Sequence, residues 1–258
     1  MQNENQSELN RTAFFALTRG YHGFQKVRYR HLIRRSLKLK KFIKSEKGTR
    51  ILFHEGNVSI LDQLFLRLLT LTNHQFINIQ NDFKVPEGFV WTGTKKSPVG
   101  YALMCRFHYF GVWKHLVEFD LVCRVDEDCF VTNLPSFSQI GNFATGAFCE
   151  ETHVETNVEL PNFLNLIGQK SGYDQMFPYT NCYITRMDFW LQAPVQEFLS
   201  RVAENRNSLE WRWGDLPVLG VALNNFGGWN AKKEPNKEIN YFHGSHVVTV
   251  KNGMVNDD

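Results

Sequence analysis

Residues 119–128 read Phe-Asp-Leu-Val-Cys-Arg-Val-Asp-Glu-Asp, so that an apolar run leads directly into three acidic residues. The run has the composition of a buried strand, and the acids mark its end. Similar apolar runs alternate with helical patterns along the chain, which predicts an α/β fold with a central, mostly parallel sheet flanked by helices. The predicted strands cover 13–17, 50–54, 76–79, 120–125, 145–149, 181–185 and 239–242, and the predicted helices cover 26–50, 60–71, 194–203 and 216–224.

The acidic segment lies where a ligand site is expected, because ligands of such sheets bind beyond the carboxyl ends of the strands. In an extended segment, the side chains of Asp126 and Asp128 would project to the same side, and a cation would relieve their repulsion. Carboxylate oxygens suit Mg²⁺ or Mn²⁺, and such an ion can neutralise the diphosphate of a nucleotide sugar. A solvated acidic turn is the alternative interpretation.

Composition sets broad limits. The chain has 258 residues, of which 43% are hydrophobic, and a net charge of +3, which argues against global disorder and allows a sizeable core. No apolar run reaches the roughly 20 residues that a spanning helix needs, and the polar residues 1–6 carry no secretory signal. We therefore expect a cytoplasmic protein, or a luminal catalytic domain separated from its anchor. The five cysteines lack paired spacing and are expected to be free thiols.

The sequence also contains four segments in a recognisable order, namely Tyr-Ala-Leu-Met-Cys-Arg-Phe at 101–107, the run at 119–128, Met-Asp-Phe-Trp at 187–190 and Arg-Trp-Gly-Asp-Leu-Pro-Val at 212–218. In order and spacing they resemble segments of the fungal alpha-1,2-mannosyltransferases of the Kre2/Mnt1 type. The resemblance covers roughly residues 100–246. It implies one GT-A domain over 1–258, with a nucleotide-sugar half at about 10–130 and an acceptor half at about 131–258.

The resemblance further implies a metal-dependent, retaining glycosyltransferase that moves a hexose, with mannose favoured, from GDP-mannose to a glycan or glycoconjugate. The implied cofactor is Mn²⁺, or Mg²⁺ in its place. Asp126 and Glu127 would meet the donor diphosphate, and Asp126 and Asp128 would bind the metal, with Asp128 the strongest candidate. Such enzymes also recruit a histidine near the C-terminus to the metal, for which His243 and His246 are both candidates. A polar loop is the alternative for these histidines.

One position departs from the family pattern. Where the family has a glutamate after an Asn-aromatic pair, this chain has Tyr183, which cannot act as a carboxylate nucleophile. Tyr183 therefore stays a candidate for positioning the reactants. Retention would instead proceed by front-face attack, in which the departing phosphate takes the acceptor proton. The departure also leaves open a catalytically degenerate protein that only binds its ligands.

The matched segment at 212–218 supplies acceptor candidates. Asp215 is expected to contact acceptor hydroxyls or to act in catalysis, and a helix N-cap is the alternative. Trp211 and Trp213 could stack against sugar rings, and core packing is their alternative.

Donor candidates lie elsewhere in the chain. Arg106, in the segment at 101–107, could bind the diphosphate, and pairing with an acid such as Glu118 is its alternative. Thr18, Arg19 and Tyr21 follow the first predicted strand, where GT-A folds usually contact the nucleotide base.

The predicted helix 26–50 suggests a different class of function. It contains eleven Lys or Arg residues and one acid, Glu46, so it could contact nucleic acid or an anionic membrane surface. A solvated helix face is the simpler interpretation, and no nucleic-acid-binding signature accompanies the charges, so we expect no nucleic acid partner. A two-metal phosphodiesterase is disfavoured because the chain has one compact acidic cluster.

Overall fold

A six-stranded sheet forms the centre of the protein in a computed structural model, which describes residues 11–90, 99–169, 172–229 and 233–257. In chain order the strands are β1 (Thr12–Thr18), β2 (Thr49–His54), β3 (Gln75–Asn78), β4 (Leu121–Val125), β5 (Cys129–Asn133), β6 (Phe143–Thr145), β7 (Phe148–Glu150), β8 (Met176–Pro178), β9 (Cys182–Arg186), β10 (Asn240–His243), β11 (Val248–Lys251) and β12 (Met254–Asp257). The helices are α1 (Tyr29–Ser45), α2 (Ile60–Thr70), α3 (Val99–Arg106), α4 (Val154–Leu166), α5 (Met187–Trp190), α6 (Ala193–Glu204), α7 (Arg206–Glu210) and α8 (Asp215–Asn225).

The central sheet has the order β3-β2-β1-β4-β9-β6. The first four of these strands are parallel. Strand β9 pairs antiparallel with β4, and β6 pairs antiparallel with β9 at the edge of the sheet. The prediction of an α/β fold with a mostly parallel sheet is confirmed. A second sheet, β12-β11-β10-β5, is antiparallel, and β7 pairs with β8 as a two-stranded ribbon. The second sheet matters for function because β5 begins directly after the acidic segment.

Most predicted elements are present, and two differ in extent. The predicted strand 145–149 is divided into β6 and β7, which pair with different partners. The division falls at Gly146, where a Cβ would lie 2.5 Å from the carbonyl oxygen of Ile239. The backbone at Gly146 therefore lies too close to the backbone at Ile239 for a side chain to fit between them. The predicted helix 26–50 is shorter than expected, because a 3-10 turn precedes α1 and Lys47 has a positive φ of 50° before β2 begins.

The start of α2 is fixed by a cap and an ion pair. The Ser59 hydroxyl accepts a hydrogen bond from the Asp62 N–H at 3.1 Å and donates one to the Asp62 carboxylate at 2.9 Å. These two hydrogen bonds cap the start of α2. Lys26, just before α1, forms an ion pair with Asp62 at 2.8 Å and so joins the approach to α1 to the first turn of α2.

Aromatic side chains fill much of the core between the central sheet and its helices. Trp113 and Trp190 stack with ring centroids 4.4 Å apart, and Trp213 lies 5.0 Å from Phe163. All five cysteines are free, as expected. Within the described ranges, no helix combines the length and the hydrophobicity that crossing a membrane requires. The polar residues 1–6 lie outside those ranges.

Buried histidines are a second feature of the interior. His74 is 2% exposed, and neither ring nitrogen has a hydrogen-bond partner among the described residues. Burial lowers its pKa to about 3, and the guanidinium groups of Arg35, Arg50 and Arg67 act in the same direction. Burial also lowers the pKa of His54. These side chains stay neutral in the folded protein at pH values where an unfolded chain takes up protons.

We expect the free energy of unfolding to fall as the pH drops from about 6.5 towards 4, by about 1.4 kcal/mol per pH unit for a fully perturbed histidine. The folded-state pKa of His74 lies below its unfolded value, so the unfolded chain takes up a proton that the folded protein does not. The folded state is therefore stabilised by this group above the unfolded pKa, and that stability is lost as the pH falls below it. A His74→Leu variant should show a shallower dependence, because it removes a group without partners. Urea unfolding of both proteins at several pH values between about 7 and 4 measures this, and an equal loss of unfolding free energy per pH unit in the two proteins would contradict it.

Candidate active site

The acidic segment forms a tight turn between β4 and β5. The Cys129 N–H donates to the Asp126 carbonyl oxygen at 3.0 Å, and the Asp126 N–H donates to the Asn181 carbonyl at 2.9 Å. Because the segment turns, its three carboxylates point to three different sets of partners. The expectation that Asp126 and Asp128 project to the same side is therefore wrong, since it assumed extended backbone.

Asp126 is held by a buried arginine. Arg124, 4% exposed on β4, contacts both oxygens of the Asp126 carboxylate, at 2.7 and 3.1 Å. The third guanidinium nitrogen, Nη1, donates to Asp215 in the first turn of α8. One guanidinium thus bridges Asp126 to Asp215, which lies 91 residues after the arginine in sequence.

The charges of this bridge determine the protonation states. Burial alone would lower the pKa of Arg124, but the two carboxylates raise it well above its ordinary value. Burial opposes ionisation of Asp215, yet Arg124 leaves its pKa lowered. Burial raises the pKa of Asp126 despite the same arginine. The bridge therefore stabilises negative charge beneath the site, and it stabilises that charge more at Asp215 than at Asp126.

Glu127 connects the acidic turn to the end of β1. Its carboxylate accepts hydrogen bonds from the Thr18 hydroxyl and the Tyr21 hydroxyl, both at 2.8 Å. Burial raises the pKa of Glu127 and also raises that of Tyr21, to about 12. Arg19 is exposed, with its guanidinium 5.6 Å from the Tyr21 ring centre. The expected donor residues Thr18, Arg19 and Tyr21 thus gather around Glu127.

Asp128 meets the end of β10. Antiparallel pairing of β10 with β5 places His243 opposite Cys129, one residue after Asp128. The His243 Nε2 atom lies 3.3 Å from the Asp128 carboxylate, and the Ser245 N–H donates to the same carboxylate at 3.1 Å, together with the Ser245 hydroxyl. Burial would raise the pKa of Asp128, but hydrogen bonds from His243 and Ser245 hold it well below its usual range.

His243 is oriented from behind by two side chains that approach from the β8–β9 connection. The Tyr179 hydroxyl lies 3.4 Å from Nδ1, and the Asn181 amide nitrogen lies 3.0 Å from Nε2. His243 is buried, whereas His246 is exposed and stacks on it with ring centroids 4.4 Å apart. Tyr179 at Nδ1 and Asn181 at Nε2 hold the ring in one orientation, with Nε2 also facing Asp128, and metal-binding histidines are commonly oriented by such neighbours.

The donor atoms that could hold a divalent cation lie close together. One ligand atom each from Asp128, Cys129 and His243 lies within 4.8 Å of the others. A carboxylate and an imidazole are suitable ligands for Mn²⁺. Burial raises the pKa of the Cys129 thiol well above its ordinary value, so this group stays protonated. Asp126 and His246 are not in this cluster, and both Asp126 oxygens are already paired with Arg124.

Tyr183 and Trp213 are buried, and the helix-cap alternative for Asp215 is excluded. Tyr183 is fully buried, stacks on Phe143 at 5.0 Å, and its hydroxyl forms no hydrogen bond among the described residues. It lies opposite Arg124 in the sheet, and its burial leaves it no surface with which to contact a sugar. Trp213 is fully buried and has no face for a sugar. Asp215 does not cap α8, because Gly214 occupies the cap position.

Arg106 and Trp211 also have structural neighbours. The Arg106 guanidinium donates to the backbone carbonyls of Lys84 at 3.0 Å and Asp82 at 3.4 Å, and not to Glu118. Trp211 is partly buried against the core at the end of α7, where its carbonyl accepts a hydrogen bond from Thr156 at 3.4 Å. For Arg106, the direct diphosphate contact expected from the sequence would require it to leave these carbonyls.

Several site residues were not expected from the sequence. Arg124 lies two residues before Asp126 in the sequence, but its contact with Asp215 depends on tertiary structure. Asn181 and Tyr179 contact His243, yet nothing in their sequence context indicates this. Ser245 is the exception, because it lies between the two histidines of the segment that was already singled out.

This geometry can be compared with that of known proteins. The probable mannosyltransferase KTR3 of Saccharomyces cerevisiae is 26% identical over 157 residues, which is 50% of this chain and 39% of that protein. The probable mannosyltransferase KTR4 of the same yeast is 24% identical over 159 residues, which is 48% of this chain and 34% of the relative. The chain is a distant homologue of these mannosyltransferases. It spans well under half of their length, and no protein-family model matches it.

Solved structures agree on the fold. The mannosyltransferase Ktr4p of S. cerevisiae superposes with a TM-score of 0.77 at 14% identity, covering 95% of this chain and 73% of that one. Core-mannan synthase A of Aspergillus fumigatus, in its Mn/GDP form, gives a TM-score of 0.73 at 16% identity, covering 93% and 76%. The galactosyltransferase LgtC gives 0.51 at 13% identity, covering 84% and 71%. The chain therefore has the GT-A fold.

Replacing Arg124 should be much more costly than replacing an exposed arginine. We expect Arg124→Gln to lower the free energy of unfolding by about 3 to 5 kcal/mol, because Asp126 and Asp215 then stay buried without a counter-charge. The control is Arg186→Gln, which breaks the exposed pair with Asp188 and should cost less than about 1 kcal/mol. Urea unfolding measures both. Adding Asp215→Asn to Arg124→Gln should recover part of the loss, and equal costs for the two single variants would refute the bridge.

The two C-terminal histidines should differ in metal binding. We expect His243→Gln to weaken Mn²⁺ binding by at least about tenfold, because it removes the nitrogen beside Asp128. His246→Gln should leave the affinity unchanged, since His246 lies outside the cluster. Isothermal titration calorimetry with Mn²⁺ alone measures both, with circular dichroism confirming the fold. Loss of binding only in the His246 variant would reverse the assignment.

Proposed function

We propose that this chain binds a nucleotide-diphosphate sugar together with Mn²⁺ and transfers its hexose to a carbohydrate acceptor. The observation that carries the proposal is the pairing of Asp128 with His243 at the carboxyl end of the parallel strands of a GT-A fold. The distant homology to mannosyltransferases favours GDP-mannose as donor. The Mn/GDP form of core-mannan synthase A favours Mn²⁺ over Mg²⁺.

The proposed donor site lies where the end of β1 meets the acidic turn. Thr18 and Tyr21 are held there by Glu127, and the exposed guanidinium of Arg19 is available to a phosphate or a base. This assigns the donor to the half at about 10–130 and the acceptor to the half at about 131–258. Asp215 and Trp211 are the acceptor candidates that remain from the matched segment, of which Asp215 is mostly buried.

The proposed chemistry divides into binding and charge stabilisation. Asp128 and His243 would hold the cation, which supplies positive charge to the diphosphate leaving group when it is bound. Low pKa keeps Asp128 ionised, as a metal ligand must be. Asp126, with its side chain 22% exposed, can accept a hydrogen bond from a donor hydroxyl while Arg124 holds it in place. These residues position the donor before any bond breaks.

Retention is implied by the family resemblance, and the buried Tyr183 bears on how it would occur. Retention through a covalent intermediate needs a carboxylate at the sugar, and Tyr183 supplies none and is not accessible. We propose retention by front-face attack, in which the leaving phosphate oxygen takes the proton of the acceptor hydroxyl while the acceptor oxygen bonds to the anomeric carbon. The protein then contributes orientation and electrostatic stabilisation, and no nucleophile. The cytoplasmic location stays a prediction.

A thermal-shift panel tests the proposal. We expect GDP and GDP-mannose to raise the melting temperature only with Mn²⁺, because the diphosphate binds through the metal, and UDP to have a smaller effect. At a ligand concentration of 100 times Kd the stabilisation is about 2.7 kcal/mol, or several degrees. Asp128→Asn should abolish both this stabilisation and mannose transfer to a mannoside acceptor.

Tyr183→Phe is the control variant, because it removes a hydroxyl that forms no hydrogen bond in the described structure. It should keep stabilisation and transfer within about threefold, since a lost unpaired group costs little. Stabilisation without transfer would favour a degenerate protein that only binds. A lack of response to every nucleotide would overturn the proposal.

A further inference from the structure

One whole side of α2 is apolar and open to solvent. We call it the apolar α2 face, and its members are Ile60, Leu61, Leu64, Phe65, Leu68 and Leu69. Their exposed fractions range from 43% to 76%. At 100° per residue these six positions fill one continuous half of the helix. Leu71, which directly follows the helix, is also 70% exposed and extends the same surface.

The opposite half of α2 is the one that packs on the protein. Leu66 is fully buried, and Asp62 and Thr70 are buried beside it. The usual arrangement, with leucines inside and polar residues outside, is therefore reversed in this helix. A continuous exposed apolar surface of this kind marks an interaction site in a folded protein.

The neighbouring helix supplies positive charge. No Asp or Glu occurs between Tyr29 and Ser45, whereas six exposed basic residues do, namely Arg30, Arg34, Lys38, Lys40, Lys41 and Lys44. Three of them, with Ile33 and Leu37, line a surface groove of about 430 Å³. We call Arg30, Arg34 and Lys38 the basic α1 face.

The two helices pack as neighbours. Leu32 of α1 and Leu66 of α2 belong to one buried cluster, and Lys26 joins the approach to α1 to Asp62. Asp62, the single acid of α2, is buried in that ion pair and adds no exposed negative charge. The apolar surface and the positive surface therefore lie on two neighbouring helices, with Arg34 also placed over the Phe130 ring of β5, 4.6 Å from its centre.

We propose that the apolar α2 face and the basic α1 face together bind an anionic lipid bilayer. The six large side chains would enter the region between headgroups and acyl chains, and the lysines and arginines would pair with lipid phosphates. A second copy of the chain is a poorer occupant, because a two-fold contact through α2 brings two basic α1 helices together. This proposal does not depend on sugar transfer.

The surface has a fixed relation to the candidate active site. Ile60, the first residue of α2, follows the segment of Asn57, whose side-chain oxygen accepts a hydrogen bond from the Gly20 N–H at 2.9 Å. Gly20 in turn lies between Thr18 and Tyr21, the residues that Glu127 holds. Binding through α2 would therefore place the rim of the donor site at the lipid surface.

Vesicle sedimentation tests the proposal directly. The purified chain is mixed with vesicles of phosphatidylcholine alone or with about 30% phosphatidylserine, at low and at high salt. We expect at least about tenfold stronger partitioning onto the anionic vesicles at low salt, with a marked decrease at high salt. Equal binding to both vesicle types, or none to either, would overturn the proposal.

Paired variants identify the surface. Leu64→Ser with Leu68→Ser replaces exposed side chains and should reduce partitioning by about tenfold or more, without loss of fold. Arg34→Gln with Lys38→Gln should reduce binding to anionic vesicles by about tenfold and leave binding to neutral vesicles unchanged. The control is Val158→Ser with Leu166→Ser, two exposed apolar residues of α4, which should have no effect.

Analytical ultracentrifugation distinguishes lipid binding from binding of a second copy of the chain. A monomer in solution that sediments with anionic vesicles supports the proposal. The protein could instead be a dimer that does not bind vesicles. If Leu64→Ser with Leu68→Ser then converts the dimer to a monomer, the apolar α2 face binds a second copy and the proposal is overturned. Binding that persists in both double variants would also overturn it.

Discussion

The candidate site depends on one guanidinium. Arg124 bridges Asp126 in the turn after β4 and Asp215 at the start of α8, and it is buried below both. Without it, two carboxylates would share a desolvated space, and one of them would have to take up a proton. With it, the turn, the central sheet and α8 hold a single arrangement. The ring of Tyr183, opposite Arg124 in the sheet, fills the space beneath that arrangement.

From this fixed point the three acids of the turn diverge. Asp126 faces the bridge, Glu127 holds the end of β1, and Asp128 faces β10 of the second sheet. A pattern of acidic residues that looks like one metal site in the sequence is in fact three connections between different parts of the fold. Asp128 with His243 is the pair whose chemistry suits a divalent cation.

The sequence predicts those features of the structure that depend on residues close together in the chain. The buried strand β4 and the acids at its end were both predicted, because each depends on residues within a few positions. Contacts between side chains that are far apart in the sequence could not be predicted. Whether Tyr183 faces a sugar or the core, and which side of α2 is turned inward, depends on the sheet and not on the pattern. The apolar residues of α2 repeat with a helical period, but periodicity does not say which side meets the protein.

The close approach of two loops has a further consequence. A Cβ atom at Gly20 would lie 1.8 Å from the carbonyl oxygen of Asn57, and the Gly20 N–H also donates to the Asn57 side chain. The loop after β1 and the loop before α2 are therefore in backbone contact with no room between them. Over evolution, neither loop could lengthen or gain a side chain at this point unless the other changed with it. A glycine here paired with an asparagine 37 residues later would thus serve to recognise other chains built in the same way.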